Sequence, residues 1–172
     1  MIDEMFMHNQ PRILIIDDDS DVAIAAQMLL RRRYSDIRIL QNPSQLKAML
    51  EQQVPDIVLL DFNFTAGRTD GSEGLMILDL LARQDKAPSV IALTAYADVP
   101  LAVEALKRGA CDFITKPWEN ARLLAAVETA IARRTGNSGS GALNILMGQS
   151  ASMCELRAMI ANVAPTEANV MI

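Results

Sequence analysis

Residues 56–61 read DIVLLD, an aliphatic run that ends in a carboxylate, and this stretch decides the fold. Four consecutive aliphatic residues with no polar alternation are typical of a strand buried on both faces of a parallel sheet. Pro55 stands directly before the run and ends the preceding helical unit. Such a strand needs neighbours of the same character on both sides, so the rest of the chain should supply them.

Four other stretches have this strand-like character, and helical patterns separate them. The predicted strands are residues 12–17 (RILIID), 37–40 (IRIL), 56–61, 90–94 (VIALT) and 111–115 (CDFIT). The predicted helices are residues 21–33, a segment that opens at Asn42-Pro43-Ser44, and residues 72–83, 98–108 and 118–134. Strict alternation with short connections predicts an α/β fold, a doubly wound five-stranded parallel sheet with five helices.

The composition fits this fold and excludes several classes of protein. Of the 172 residues, 51% are hydrophobic and only 4% aromatic, and the net charge of -5 argues against this chain itself gripping a nucleic-acid backbone. Cys111 and Cys154 are far apart and lack metal-site spacing, which indicates buried thiols in a reducing compartment. No apolar run is long enough to cross a membrane, so we expect a cytoplasmic protein without membrane contact.

Polar side chains follow four of the predicted strands at the point where each strand ends. The first strand is followed by Asp17 and Asp18, the third ends in Asp61, the fourth ends in Thr94 and the fifth is followed by Lys116. Because ligand sites in parallel sheets lie beyond the carboxyl ends of the strands, these groups should converge. Clustered carboxylates repel one another unless a cation offsets them, and a lysine and a hydroxyl suit a phosphoryl group.

The convergence predicts a phosphoacceptor that works with Mg²⁺ (or Mn²⁺). In this mechanism the Asp61 carboxylate attacks phosphorus in line and forms an acyl phosphate. Asp18, Asp61 and the backbone carbonyl of Asn63 hold the metal ion, and Asp17 orients its waters. Lys116 pairs with the phosphoryl oxygens and the Thr94 hydroxyl adds a hydrogen bond.

Each position also has a purely structural interpretation when it is taken alone. Asp19, Ser20 and Asp21 are residue types that commonly cap a helix, and they directly precede the first one. Lys116 stands before Pro117, so it is also suited to a solvated turn that opens the last helix. The functional interpretation depends on the occurrence of all the groups at successive strand ends.

The motifs IDDD (16–19), LLD (59–61), LTA (93–95) and TKP (115–117) resemble those of the receiver domain of two-component response regulators, over residues 11–134. The resemblance implies a flavodoxin-like strand order 2-1-3-4-5 and phosphotransfer from a sensor histidine kinase. It implies that Phe113 is a switch residue that partners Thr94, and that a homodimer forms through the fourth helix, fifth strand and fifth helix. A receiver catalyses only its own phosphorylation and slow dephosphorylation, so we expect no enzyme in the metabolic sense.

The loop after Asp61 departs from the family pattern. Thr65 stands where a proline is usual, and the stretch up to Gly74 is about five residues longer than is typical, through residues 66–70. These extra residues lie beside the predicted phosphorylation site. They either alter kinase recognition and phosphoryl lifetime or form a harmless surface insertion.

The C-terminal part has a different composition. Residues 135–142 are rich in Gly and Ser and predict a flexible linker. Residues 143–172 resemble the opening of the AAA+ domain of sigma-54-dependent (NtrC-type) transcription activators, and they contain no phosphate-binding loop. We therefore expect an incomplete AAA+ segment, with sigma-54 RNA polymerase and DNA contacted only through domains absent here.

The leading hypothesis is a receiver that controls sigma-54-dependent transcription. One alternative is an aspartyl-phosphate phosphatase, which needs a second acid two positions after the nucleophile, where this chain has Asn63. A second alternative is a phosphate-independent, receiver-like interaction module, which the unusual loop after Asp61 keeps open.

Overall fold

A computed structural model describes residues 10–64, 71–95 and 99–136 of the chain. The strands are β1 (Ile13–Ile16), β2 (Ile37–Leu40), β3 (Ile57–Asp61), β4 (Ser89–Thr94) and β5 (Ala110–Thr115). The helices are α1 (Ser20–Leu30), α2 (Leu46–Gln52), α3 (Ser72–Ala82), α4 (Val99–Lys107) and α5 (Asn120–Gly136), with a 3-10 turn (Pro43–Gln45) leading into α2. The predicted alternation of five strands and five helices is confirmed.

All strand pairs are parallel, in the order β2-β1-β3-β4-β5, which confirms the predicted flavodoxin-like topology. Ile16 of β1 lies opposite Leu60 of β3, so the residues that follow β1 come beside the end of β3. Asp61 in turn lies opposite Leu93 of β4. The predicted functional residues therefore share one edge of the sheet because their strands are neighbours that run in the same direction.

The sheet separates two apolar layers. Side chains of β3 alternate between them: Val58 and Leu60 face α2, α3 and α4, whereas Ile57 and Leu59 face α1 and α5. Both faces of β3 are fully buried, as its uninterrupted aliphatic sequence predicts. Burial on both sides fixes the height and direction of β3, and thereby the position of Asp61 at its end.

The structure changes some of the predicted boundaries. Helix α5 continues through Thr135 and Gly136, so the first two residues of the predicted linker 135–142 are helical. The remainder of that linker, the AAA+-like residues 143–172 and the unusual loop residues 65–70 lie outside the described residues. Within the described ranges, no helix is long and apolar enough to cross a membrane.

Gly74, in the first turn of α3, allows this helix to approach the end of β3 closely. A Cβ at this position would lie 2.3 Å from Phe62 Cδ1 and 2.6 Å from Phe62 Cα. Phe62 is 1% exposed and directly follows Asp61. Since one of the two atoms belongs to the backbone, a rotamer change of Phe62 would not relieve the overlap.

We expect Gly74→Ala to lower the free energy of unfolding by about 1–3 kcal/mol, because the new methyl group overpacks the contact with Phe62. Chemical denaturation measures this change. Met76→Ala, in the same helix at a position 71% exposed, is the control and should change stability by less than about 0.5 kcal/mol. A gain in stability from Gly74→Ala, as in an ordinary helix interior, would contradict this packing.

Candidate functional site

Three carboxylates meet at the carboxyl edge of the sheet. One oxygen each from Asp17, Asp18 and Asp61 can be chosen so that all lie within 4.8 Å of one another. Asp17 and Asp61 are buried, whereas Asp18 is exposed at the rim. The cluster therefore has a closed inner side and one side open to solvent.

Lys116 reaches this cluster from β5. Its Nζ donates a hydrogen bond to Asp17 Oδ2 at 2.7 Å and lies 3.3 Å from Asp61 Oδ1. Only 15% of the Lys116 side chain is exposed, so the charges meet with little screening by water. The lysine offsets part of the repulsion between the two buried carboxylates.

The electrostatic state of Asp61 follows from its surroundings. Burial raises the pKa of the Asp61 carboxyl above its usual value, the positive charge of Lys116 opposes this rise, and the negative charge of Asp17 adds to it. The net direction is upward, so one lysine does not fully offset the cost of burying this anion. A further cation beside Asp61 would favour the ionised form that a nucleophile requires.

The segment after β1 is shaped by hydrogen bonds from main-chain groups. The backbone N–H of Asp19 donates to Asp17 Oδ1 at 2.9 Å, which helps to hold the Asp17 carboxylate. Asp19 Oδ1 in turn accepts from the N–H groups of Asp21 and Val22. Asp19 is thus the N-cap of α1, and the capping interpretation of this residue is confirmed.

Both the backbone and the side chain of Asn63 bear on the site. Its N–H donates to Asp61 Oδ1 at 3.4 Å, which brings the chain around the end of β3. Its side-chain Nδ2 and Oδ1 are buried, and neither has a hydrogen-bond partner among the described residues. Burial of an unpaired amide costs free energy, so this group is suited to a ligand that enters the pocket.

Thr94 and Phe113 lie on the two strands beyond β3. Thr94 is fully buried, and its carbonyl accepts a hydrogen bond from the Lys116 N–H at 2.6 Å. Phe113 is buried in the apolar layer and lies opposite Ala92, two residues before Thr94 on β4. Alternate residues of a strand share a face, so Phe113 and Thr94 lie on the same face of the sheet.

A largely buried ion pair between α5 and β5 was missed by the sequence reasoning. Arg122 of α5 donates to both oxygens of Asp112 in β5, with Nη2–Oδ1 at 2.9 Å and Nη1–Oδ2 at 3.1 Å. The signal was an aspartate inside an otherwise apolar strand, CDFIT. A carboxylate at such a position needs a partner, and the first turn of α5 supplies it.

The donor set fits a hard divalent cation. Carboxylate oxygens on an open-sided rim are the ligands that Mg²⁺ and Mn²⁺ prefer, and both ions keep several waters when bound. Asp18 and Asp61 offer their carboxylates directly, and Asp17 is held at the base by the Asp19 N–H and Lys116. Burial raises the pKa of Asp61 even with Lys116 beside it, so a cation bound here would stabilise the ionised carboxylate.

Comparisons with known proteins place this geometry in a family. The family model described as "Response regulator receiver domain" matches residues 13–128. PilR, a response regulator protein of Pseudomonas aeruginosa, is 32% identical over 95% of this chain, and ZraR, a transcriptional regulatory protein of Escherichia coli, is 33% identical over 96% of it. The chain spans 36% and 37% of the lengths of these two relatives.

A solved structure gives the same assignment. The N-terminal signal receiver domain of a response regulator from Bacteroides fragilis is 38% identical, with a TM-score of 0.63, and the match covers 73% of this chain and 99% of that one. The pocket of Asp17, Asp18, Asp61 and Lys116 lies within the residues matched by the family model. This chain belongs to the response regulator receiver domain family.

Proposed function

We propose that this chain is a phosphoacceptor switch in which Asp61 takes up the phosphoryl group. The observation that carries the proposal is the position of Lys116 Nζ, 3.3 Å from Asp61 Oδ1 on the inner side of the acidic pocket. A cation next to the nucleophilic oxygen is suited to the equatorial oxygens of an incoming phosphoryl group. The family membership supports the same chemistry.

The transfer step needs no further side chain as an acid or base. An Asp61 oxygen attacks phosphorus, the bond between phosphorus and the donor's leaving group breaks, and the leaving group departs with the electron pair. As the phosphoryl group arrives, the Lys116 ammonium group forms contacts with its oxygens, and its hydrogen bond to Asp17 weakens. Two neutral groups are suited to hydrogen bonds with those oxygens: the Thr94 hydroxyl and the Asn63 amide, which has no hydrogen-bond partner among the described residues.

We propose Mg²⁺ or Mn²⁺ as the cofactor, held by Asp18, Asp61 and the Asn63 carbonyl, with Asp17 orienting its waters. When bound, the ion would neutralise part of the charge that builds up on the phosphoryl oxygens. The chain supplies the fixed carboxylates and excludes bulk water from the inner side of the pocket. The donor is a phosphohistidine of a sensor histidine kinase, and switching takes place in the cytoplasm.

The relatives PilR and ZraR are longer than this chain, and the similarity to them extends beyond the receiver. The alignments with PilR and ZraR run over 165 and 170 residues, well past the receiver, so they include the segment that resembles an AAA+ domain. We propose that phosphorylation of Asp61 controls sigma-54-dependent transcription through further domains that contact ATP, DNA and RNA polymerase. Dimerisation would use the face of α4, β5 and α5.

Incubation with acetyl phosphate and Mg²⁺ should add one phosphoryl group to the chain, detected as an increase in intact mass. Asp61→Asn removes the attacking oxygen and should abolish the gain, as should chelation of the metal. Asp85→Asn, an exposed aspartate far from the pocket, is the matched control and should be phosphorylated normally. No gain in wild type at any Mg²⁺ concentration would favour a phosphate-independent interaction module.

The raised pKa of Asp61 predicts a pH-dependent effect of the same substitution on stability. Without divalent cations, Asp61→Asn should have a higher Tm than wild type at pH 7, because the folded wild type holds a disfavoured anion. The gain should shrink as the pH falls through the raised pKa and vanish below 3.8, where Asp61 is protonated in both folded and unfolded chains.

Thermal unfolding at a series of pH values measures this effect. For Asp85→Asn we expect a difference from wild type that stays small across the series. Added Mg²⁺ should raise the Tm of wild type more than that of Asp61→Asn, since a ligand stabilises the state that binds it. A lower Tm for Asp61→Asn at pH 7 without metal would contradict the electrostatic account.

A further inference from the structure

Strand β5 contains a one-residue irregularity just before the site. Val90 of β4 lies opposite Ala110, but the next residue, Ile91, lies opposite Asp112, so Cys111 is an extra residue in β5. Cys111 packs against the apolar layer beneath α1 and α5, and Asp112 pairs with Arg122 of α5. Two consecutive residues therefore face α5, which is characteristic of a β-bulge.

The bulge sets the register of every later residue in β5. Because side chains alternate along a strand, an unbulged β5 would turn each following side chain to the opposite face of the sheet. With the bulge, Phe113 enters the apolar layer beneath α4 and Thr115 lies opposite Thr94. The Lys116 N–H then bonds to the Thr94 carbonyl at 2.6 Å, and its Nζ reaches Asp17 and Asp61.

The carboxylate of Asp112 holds the bulge from two sides. Its Oδ1 accepts from the Phe113 backbone N–H at 2.7 Å, within the strand, and both of its oxygens accept from Arg122. The side chain of Asp112 is 10% exposed and that of Arg122 is 13% exposed. A bidentate, largely buried Arg–Asp pair restricts the positions of both side chains more than a surface ion pair does, because two hydrogen bonds must form at the same time.

We propose that Arg122 is a positioning residue for Lys116 and acts through Asp112 and the bulge in β5. The guanidinium of Arg122 forms its two described hydrogen bonds with Asp112. It fixes Asp112, Asp112 fixes the extra residue, and the resulting register delivers Lys116 to the edge of the sheet. The inference rests on the proposed function only for the role of Lys116 in phosphoryl transfer.

The first test is hydrogen exchange of the Lys116 amide, measured by NMR without metal or phosphodonor. In Arg122→Met we expect this amide to exchange about tenfold faster or more, because the end of β5 opens more often when its register is not held. Amides of β1 and β3, such as those of Ile15 and Leu59, serve as internal references and should change much less.

Two further variants separate positioning from general stability. Removal of one partner leaves a buried charge unpaired, so Asp112→Asn/Arg122→Met is the variant to use where Arg122→Met folds poorly. Arg33→Met is the matched control, because Arg33 forms an ion pair with Glu128 of α5 that is largely exposed. That control should leave the exchange of the Lys116 amide unchanged.

The second test uses the sign of the change in Mg²⁺ affinity. Lys116→Met removes a positive charge from beside Asp61 and should tighten Mg²⁺ binding, followed through the fluorescence of Trp118, the single tryptophan. If Arg122 positions Lys116, Arg122→Met should also tighten binding, roughly twofold to threefold, and should add nothing in the Lys116→Met background. A general loosening of the pocket would weaken binding instead.

The outcomes distinguish this inference from the proposed function. Normal protection of the Lys116 amide in the paired variant, or equal acceleration at Ile15, Leu59 and Lys116, would overturn the positioning role. Faster exchange confined to the end of β5 would support it, even in a chain that binds no Mg²⁺ and accepts no phosphoryl group. Failure to bind Mg²⁺ and to accept a phosphoryl group would contradict the proposed function but not the positioning role of Arg122.

Discussion

The ion pair of Lys116 with Asp17 and Asp61 is the interaction on which the site depends. It connects Lys116 to Asp17, which is 99 positions earlier in the sequence, at the carboxyl edge of the sheet. Without the lysine, two carboxylates would be buried side by side with no positive charge between them. With it, the negative charge of the pocket is only partly offset, and burial still raises the pKa of Asp61. Lys116 therefore lowers the free-energy cost of burying these carboxylates, and a bound cation would lower it further.

The parallel sheet is what makes this arrangement predictable from the sequence. A buried aliphatic strand is recognisable because it lacks polar alternation, as in DIVLLD, and neighbouring parallel strands end at the same edge. A residue at the end of a predicted strand can therefore be assigned to this edge from the sequence, as holds for Asp17, Asp18, Asp61, Thr94 and Lys116. Structural and functional interpretations were not exclusive: Asp19 caps α1, and its N–H also steadies the Asp17 carboxylate that the site uses.

Features that depend on exact register or on close packing were beyond sequence reasoning. Nothing in CDFIT marks Cys111 as an extra residue, and the partner of Asp112 comes from α5, ten positions later. The burial of the Asn63 amide depends on how the chain turns after β3. Helix α5 runs on to Gly136 although Gly is a poor helix former, because the preceding turns of α5 are already packed on the sheet.

The most direct test of the central claim is a crystal structure of the chain with Mn²⁺, in which the ion is located by its anomalous scattering. The account predicts one strong peak at the edge of the sheet, within bonding distance of the Asp18 and Asp61 carboxylates and the Asn63 carbonyl. Lys116 should remain beside Asp61 on the inner side. An empty pocket at saturating Mn²⁺, or a peak only at surface carboxylates elsewhere, would contradict the claim that this cluster is built for a divalent cation.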